Sequence, residues 1–345
     1  MPSSPILING RDVRIHKACL DPKFSDPTIL TSNFWKYVEL WLRRKRASQA
    51  IFYWSQAQQF YKASEGLDEV SAPLTIYYCF LNAVKALLDY RGVLASPFHG
   101  TSGESTTRKA TLSGENVVFK TRGVAPALSQ LLRDSDQRVE YTLKQLLYNL
   151  VFIHRAFVLT FPKESEIFVP LRSAIYVKKD GAEEAWLQLT ADPKFDSLIL
   201  ASNVPSGFEI DPFSGHNIVR TKNRFKWRDG IGNQAGNIQR ISTYNTRYRA
   251  SLVYIRGQPP TWYLKMPAIS KNSIARSGLS IMLAAMHRLS ELSRYDPLRL
   301  QLLLETQQNW LISEFIGNAP IQFLDEIATE ITGQNLATPF VRVSR

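Results

Sequence analysis

Cysteine is nearly absent. Only Cys19 and Cys79 occur in 345 residues, and Cys79 falls inside an apolar stretch, so neither a disulfide framework nor a thiolate metal cage is expected. Long hydrophobic runs are missing too. No stretch of 18 or more apolar residues occurs, so no transmembrane helix is expected. The first twenty residues carry Arg11, Asp12, Arg14, His16 and Lys17 with no continuous apolar segment, which argues against a secretory signal. The cytoplasm is the simplest compartment for such a chain. Histidine is also scarce. His16, His99, His154, His216 and His287 are the whole set, with no pair at metal-ligand spacing and none beside a cysteine. No metal and no cofactor is therefore expected. There is no Walker loop. The glycines of 229–236 follow Gly-x-Gly-x-x-x-Gly, one residue off the dinucleotide fingerprint and without βαβ context, and read as a flexible hairpin tip.

Acids are the remaining shortage. The 30 Asp and Glu are outnumbered by 42 Lys and Arg, giving a net charge of +12 and a pI near 9.6. Such a balance favours a polyanionic partner, nucleic acid (DNA or RNA) ahead of an anionic membrane surface. No membrane partner is expected from the hydropathy.

What is present is enough apolar residue, 44%, for a large core. Residues 1–30, rich in Pro, Asp and Ser, read as an irregular arm. A helical pattern begins at Thr31, capped by Ser32 or Asn33. Trp35, Val38, Leu42 and, after a break, Ile51, Trp54 and Phe60 supply its inward face. Ser71-Ala72-Pro73 opens the strongest helix, in which Leu74, Tyr77, Tyr78, Leu81, Val84 and Leu88 recur at threes and fours. It stops near Arg91-Gly92, and a polar loop runs from His99 to Lys109. A turn at Ser113–Asn116 and a short apolar run at Val117–Phe119 follow, then helices from Ala125 and over 139–150. From Glu166 the texture changes to short β-branched and aromatic runs at 167–169, 174–177, 185–189, 198–200, 254–256 and 262–264. Lys179-Asp180-Gly181 predicts a hairpin. Helices return after Pro267, over 279–292, 300–312 and 320–331. The expected class is α+β, with mainly helical N- and C-terminal parts packed together and a β-rich segment in the middle. The expected boundaries are an arm at 1–30, a helical part at 31–165, a β-rich subdomain at 166–266 and a C-terminal helical part at 267–345 that packs on the first.

Two basic clusters stand out. Arg220, Lys222, Arg224, Lys226 and Arg228 occupy every second position, so a strand there would place five cations on one face. From Arg220 to Arg256 nine Arg or Lys face one acid, Asp229, with Arg240, Arg247 and Arg249 continuing the series and Tyr244, Tyr248 and Tyr254 interleaved. Cations for phosphates and aromatics for bases are what a nucleic-acid surface needs. The plain alternative is a solvated edge strand whose cations discourage aggregation, or one paired with acids elsewhere. Arg43-Arg44-Lys45-Arg46 forms the second cluster, read either as a helix end facing its own carbonyl dipoles or as a phosphate contact. Glu291 to Glu330 holds seven acids against Arg294 and Arg299, which makes the C-terminal helices a counterweight to the basic middle and a candidate docking face for a protein partner.

Two segments resemble the YaaC-like family of bacterial proteins. One is Tyr77-Tyr78-Cys79-Phe80-Leu81-Asn82-Ala83-Val84-Lys85-Ala86-Leu87-Leu88, followed by His99-Gly100 and Arg108-Lys109. The other is Leu289-Ser290-Glu291-Leu292-Ser293-Arg294-Tyr295-Asp296-Pro297, similar to the Ser-x-x-x-Arg-Tyr-x-Pro segment that ends a late helix in that family. The matches span most of 60–335, leaving the arm and part of the β-rich middle unmatched. The resemblance implies a cytoplasmic protein and, through related genes found among anti-phage defence genes, a component of such a system. It implies no particular reaction. The helical frame also resembles HEPN ribonucleases, whose Arg and His lie four to six residues apart; Arg91 and His99 are separated by seven and fall on a loop.

Three functions are carried forward. The first is a nucleic-acid-binding component using the two basic clusters. The second is a scaffold that docks a protein through the acidic helices. The third is a metal-independent nuclease centred on His99, Arg108, Lys109 and Arg294. Asn82, Lys85, Glu291, Arg294 and Tyr295 form a possible buried polar network. Lone histidines on apolar stripes, such as His154, are expected in the core.

Overall fold

Apolar residues lie on nearly every face of the segment Ala72–Tyr90, and the computed structural model buries that helix on nearly every side. The structure describes residues 3–213, 215, 217–257 and 260–339; His216 lies outside them. In chain order, strands β1 (Ser3–Pro5), β2 (Leu7–Ile8), β3 (Arg11–Asp12) and β4 (Ile29–Leu30) precede helices α1 (Phe34–Arg44), α2 (Ser48–Ser64) and α3 (Ala72–Tyr90). Next come β5 (Thr101–Ser105), β6 (Glu115–Phe119), α4 (Val124–Leu131), β7 (Glu140–Thr142), α5 (Leu143–Tyr148) and α6 (His154–Thr160). The middle holds β8 (Phe168–Lys179), β9 (Glu184–Ala191), β10 (Phe208–Ile210), β11 (Ile218–Thr221), β12 (Phe225–Lys226), α7 (Gln234–Tyr248), β13 (Leu252–Ile255) and β14 (Thr261–Lys265). Helices α8 (Gly278–Tyr295), α9 (Pro297–Leu304) and α10 (Asn309–Thr332) lead to β15 (Leu336–Ala337). The fold class is α+β. The chain divides into two compact units, one of Thr31–Ser165 and Asn272–Thr332, the other of Met1–Leu30, Glu166–Lys271 and Gly333–Arg345.

In the helical unit α3 packs against α2, α4, α8 and α10. Between α3 and α10 the Phe80 and Phe323 rings stack at 3.8 Å, a pairing that adds about 0.5–1.5 kcal/mol to the area each ring buries. Beside these helices lies an antiparallel sheet in the order β5-β6-β7, with Thr101 opposite Phe119 and Val117 opposite Tyr141. Two expectations are corrected here. The polar stretch after His99 is a strand, because Ser102, Gly103 and Glu104, poor strand formers alone, pair with the strongly β-prone Val117–Phe119. Helix α5 starts at Leu143, because Thr142 and Gln145 form a capping box that fixes its start, and the residues before it pair with β6. Nor does a helix begin at Pro320. Helix α10 runs through it, held by buried Phe315, Ile316, Ala319 and Phe323 on either side of the missing hydrogen bond.

In the other unit an antiparallel sheet runs β10-β11-β9-β8-β14-β13, with β1 added to β8 and β12 to β9. The hairpin of β8 and β9 turns at Gly181, where φ is +72°. The arm is not loose. Ser3 pairs with Lys179, and Ile6, Val13 and Ile15 enter the core. Helix α7 lays Ile241, Tyr244 and Tyr248 into the same core as Tyr176, Leu187 and Val219. Its Asn245 accepts from the His16 amide and the Tyr176 hydroxyl and donates to the Ala18 carbonyl, which ties the arm down. Helix α7 also corrects two readings. The glycine-rich stretch opens a helix, not a hairpin tip, and Arg240, Arg247 and Arg249 therefore sit on or just after that helix. Residues 193–198 form a 3-10 turn, so no strand forms at 198–200.

The five-cation strand does not form either. After β11 the chain bends at Lys222-Asn223 and resumes as the two-residue β12. Arg224 donates back to the Thr221 and Lys222 carbonyls, and the Tyr244 hydroxyl donates to the Asn223 carbonyl at 2.6 Å. These bonds satisfy the bend, and the period of two is lost.

Candidate functional site

Helix α8 begins where the Ser277 hydroxyl accepts from the Ser280 amide. Along its length His287, Ser290, Glu291 and Arg294 stand at i, i+3, i+4 and i+7, which places them on one face. Leu74, Tyr77 and Tyr78 of α3, with His99 and Thr101 from the start of β5, complete the wall. Together with Tyr295 they line a cavity of about 220 Å³. Pockets for drug-sized ligands run to roughly 300–1,000 Å³, so this one admits a single small group. The His99 turn is fixed from behind. The Ala125 amide donates to the His99 carbonyl at 3.0 Å and the Val124 amide to the Phe98 carbonyl at 2.9 Å. Gly100 has φ +85°, and a Cβ there would meet Pro126 Cδ at 2.3 Å, so only glycine fits between the turn and α4.

Tyr77 Oη lies 2.5 Å from His99 Nδ1. Burial pushes the Tyr77 phenol far up, aided by Tyr78 and Glu291, so it keeps its proton. Burial lowers His99 below the usual histidine value, and Lys85 and Arg294 lower it further. His287 is pushed down to about 3, mainly by burial and then by His99 and Arg288. Two neutral imidazoles thus face each other with centroids 5.5 Å apart. The Glu291 carboxyl moves the other way. Burial raises it against the Arg288 guanidinium at 3.0 Å and the Gly103 amide at 3.3 Å. Glu291 Oε1 is 3.8 Å from His287 Nδ1, too far for a hydrogen bond. Two buried polar atoms of the lining, His287 Nδ1 and Thr101 Oγ1, have no hydrogen-bond partner. Each such group costs about 1–3 kcal/mol, and a ligand with matching donors and acceptors would recover that cost.

Behind Glu291 sits Glu115, fully buried at the start of β6. Its Oε1 accepts from Arg299 Nε at 2.6 Å, and its Oε2 accepts from Arg288 Nη2 at 2.7 Å and from the Ser105 hydroxyl at 2.9 Å. Arg288 bridges Glu115 to Glu291, so this cluster sets the angle at which the Glu291 carboxyl enters the cavity. Gly103 leaves the room for it, since a Cβ there would meet Arg288 Cδ at 2.4 Å and Glu291 Oε2 at 2.5 Å.

With the site in place, the comparison with protein families is decisive. The profile of the YaaC-like protein family matches residues 20–331. The chain belongs to the YaaC-like family. The match takes in both segments that carried the resemblance and extends over the whole β-rich middle, part of which had been left unmatched. No curated protein and no solved structure matches the chain.

Of the residues singled out from the sequence, His99, Glu291, Arg294 and Tyr295 meet in the cavity. Arg108 and Lys109 do not: their side chains are exposed, and their carbonyls accept from Arg299. The proposed buried network dissolves. Asn82 donates to the Tyr78 carbonyl of its own helix, Lys85 lies over the Tyr53 ring at 5.6 Å, and Arg294 and Tyr295 are exposed with the guanidinium 4.9 Å over the ring. Arg91 donates to the Glu330 carbonyl and does not line the cavity, so no Arg91–His99 nuclease pair exists. His154 is buried between Tyr148 and Phe157 rings. Among the described residues no group of three His, Cys, Asp or Glu is placed to hold a metal ion.

The basic middle is largely neutralised within its own unit. Arg220 pairs with Glu209 at 2.8 Å and Asp211 at 3.2 Å, Arg224 with Glu209 at 3.4 Å and Arg228 with Glu183 at 3.3 Å. Arg249 is buried and donates to the Lys17 carbonyl, and Arg240 donates to Asn237. Lys222, Lys226 and Arg247 remain exposed. In the other cluster Arg43 pairs with Glu39 and Lys45 lies over Trp41, which leaves Arg44 and Arg46 to solvent. Sequence reasoning missed Tyr77, Thr101, His287, Glu115, Arg288 and Arg299. The polar stripe from His287 to Arg294 on an apolar helix was the available signal for the first site; Glu115 and its arginines gave none, being 173 and 184 residues apart in sequence.

Proposed function

We propose that the protein binds nucleic acid and seats one sugar-phosphate unit of a strand in the cavity of α3, β5 and α8. The observation that carries this reading is the exposed Arg294–Tyr295 pair at the rim of a cavity whose wall includes Tyr78 and His99. A guanidinium offers two donors to a phosphate, and the tyrosines offer faces for a base. The cavity volume matches a ribose phosphate better than a larger cofactor. The net charge of +12 draws a polyanion toward the molecule from a distance. The test is fluorescence anisotropy with single-stranded RNA and DNA 12-mers. Binding is expected to weaken steeply with salt, and R294E combined with Y295A is expected to lower affinity at least tenfold. Absence of binding at low salt, or unchanged affinity in the double variant, would sink the reading.

A second reading keeps one specific support. Leu298, Leu302 and Trp310 on α9 and α10 are 72%, 54% and 49% exposed, an apolar line suited to a protein partner. Co-purification with such a partner, lost in L298D, would favour the scaffold role.

A further inference from the structure

The cavity contains more than a phosphate needs. Binding asks for cations and donors, yet the lining also presents an imidazole held by a phenol and a carboxyl held by an arginine, with His287 between them. Three hydroxyls of the lining are unsuited to attack. Ser290 donates to the His287 carbonyl at 2.7 Å, Tyr77 retains its proton, and Thr101 Oγ1 has no hydrogen-bond partner to take its proton. A site with proton-transfer groups and no activated nucleophile of its own suits a substrate that carries the nucleophile.

We infer that the cavity cleaves RNA by attack of a ribose 2′-hydroxyl on the adjoining phosphate, with His99 as general base and Glu291 as general acid. This rests on the nucleic-acid reading above and deepens it. Of the two ways to place the proton in the Tyr77–His99 contact, the one in which Nδ1–H donates to Tyr77 Oη leaves Nε2 as the acceptor that the reaction uses, and Nε2 has no partner among the described residues. His99 Nε2 takes the 2′-hydroxyl proton as the 2′ oxygen bonds to phosphorus. The bond from phosphorus to the 5′ oxygen breaks, and the share of Glu291 that holds its proton, which burial enlarges against the pull of Arg288, gives that proton to the oxygen. The products are a 2′,3′-cyclic phosphate and a 5′-hydroxyl end, with one proton moved from Glu291 to His99 overall; solvent resets both groups. Tyr77 supports the imidazolium through Nδ1, while Arg294 and Thr101 face the non-bridging oxygens. Tyr77 is a positioning residue here, and so is Arg288. The groups facing His99 are Tyr77, Tyr78, Lys85, His287 and Arg294; those facing Glu291 are Arg288, His287 and the Gly103 amide.

The experiment incubates the full chain with a labelled single-stranded RNA and its all-deoxy counterpart in chelator-containing buffer, and measures binding in parallel. Cleavage of RNA alone, leaving 2′,3′-cyclic phosphate ends, is expected. His99→Gln and Glu291→Gln should each slow cleavage of fully bound RNA, at saturating protein, about 10²–10⁴-fold, the usual contribution of one acid or base. Tyr77→Phe should lower the rate less and displace the acid-side limb of the pH–rate profile, which the general base sets. RNA bound but left intact by the native chain overturns the cleavage proposal while leaving the binding reading standing. Equal cleavage of the deoxy strand, or a His99→Gln variant that is folded by circular dichroism and fully active, overturns the proposal as well. No binding to either strand overturns both. Where Glu291→Gln fails to fold, His99→Gln decides.

Discussion

His16 and His287 are buried in different units, and burial holds each near a pKa of about 3, helped by Arg249 and Lys17 for the first and by His99 and Arg288 for the second. In the unfolded chain both titrate near 6.5. Below that value the unfolded state takes up a proton that the folded state refuses, so stability is complete above pH 6.5 and is lost as the pH falls toward 3. With 1.36 kcal/mol per pKa unit, each histidine removes on the order of 4–5 kcal/mol at the acid end. Glu291, raised by burial, runs the opposite way and gains as the pH falls. Melting temperatures should therefore drop between pH 6.5 and 5, before most carboxylates titrate, and His287→Asn should flatten that drop; a level curve across this window contradicts the linkage. Glu115 gives a second residue-level expectation. Its two arginines are themselves buried, and removing the acid strands both charges, so Glu115→Ala should destabilise by about 3–5 kcal/mol in urea unfolding. A loss under 1 kcal/mol would mean that water replaces the carboxylate. None of this was legible in the sequence, where Glu115 stood in an apparent turn. Its role depends on arginines that only the tertiary fold brings near.

The elements that were legible are those whose pattern repeats over several turns. Helices α3 and α8 announce themselves by apolar residues at threes and fours, and the β8–β9 hairpin by its Asp-Gly turn. Short elements failed, because their partners decide them. Strand β5 exists through β6, and the basic strand broke where side chains bonded its own carbonyls. The turn from His99 to Gly100 lies between these cases: the glycine was visible, but its reason is the first turn of α4 pressed against it. Gly100→Ala places a methyl into Pro126 at a positive φ, so a cost of about 2–4 kcal/mol is expected from strain and overpacking together. The same change should also move His99 out of reach of Tyr77. Native stability measured by denaturant, with the Tyr77–His99 contact read from the histidine's NMR titration, checks both; an unchanged titration would show that the turn does not set the ring.

At the scale of the whole molecule, net charge predicts encounter, and the pairing of each cation predicts contact. The sequence could count the cations but could not see which of them already have acids. Arg220, Arg224 and Arg228 do, whereas Arg44, Arg46, Lys222, Lys226, Arg247 and Arg294 are exposed without an ion pair among the described residues. For single strands the logarithm of affinity falls with the logarithm of salt by about 0.7 for each phosphate contact. Removing a cation that touches the strand should therefore lower the slope by about 0.7. Removing one that is already neutralised should leave the slope alone and appear in stability instead. Arg294→Ala belongs to the first kind and Arg220→Ala to the second. Arg220 is only 12% exposed and held by two carboxylates, so its loss should cost roughly 2–4 kcal/mol of folding. Taken one at a time, alanine variants of the six free cations trace the path of the strand. A salt slope that falls with Arg220→Ala and not with Arg294→Ala would move the binding surface from the cavity to the sheet and restore the alternating cations to the role their spacing first suggested.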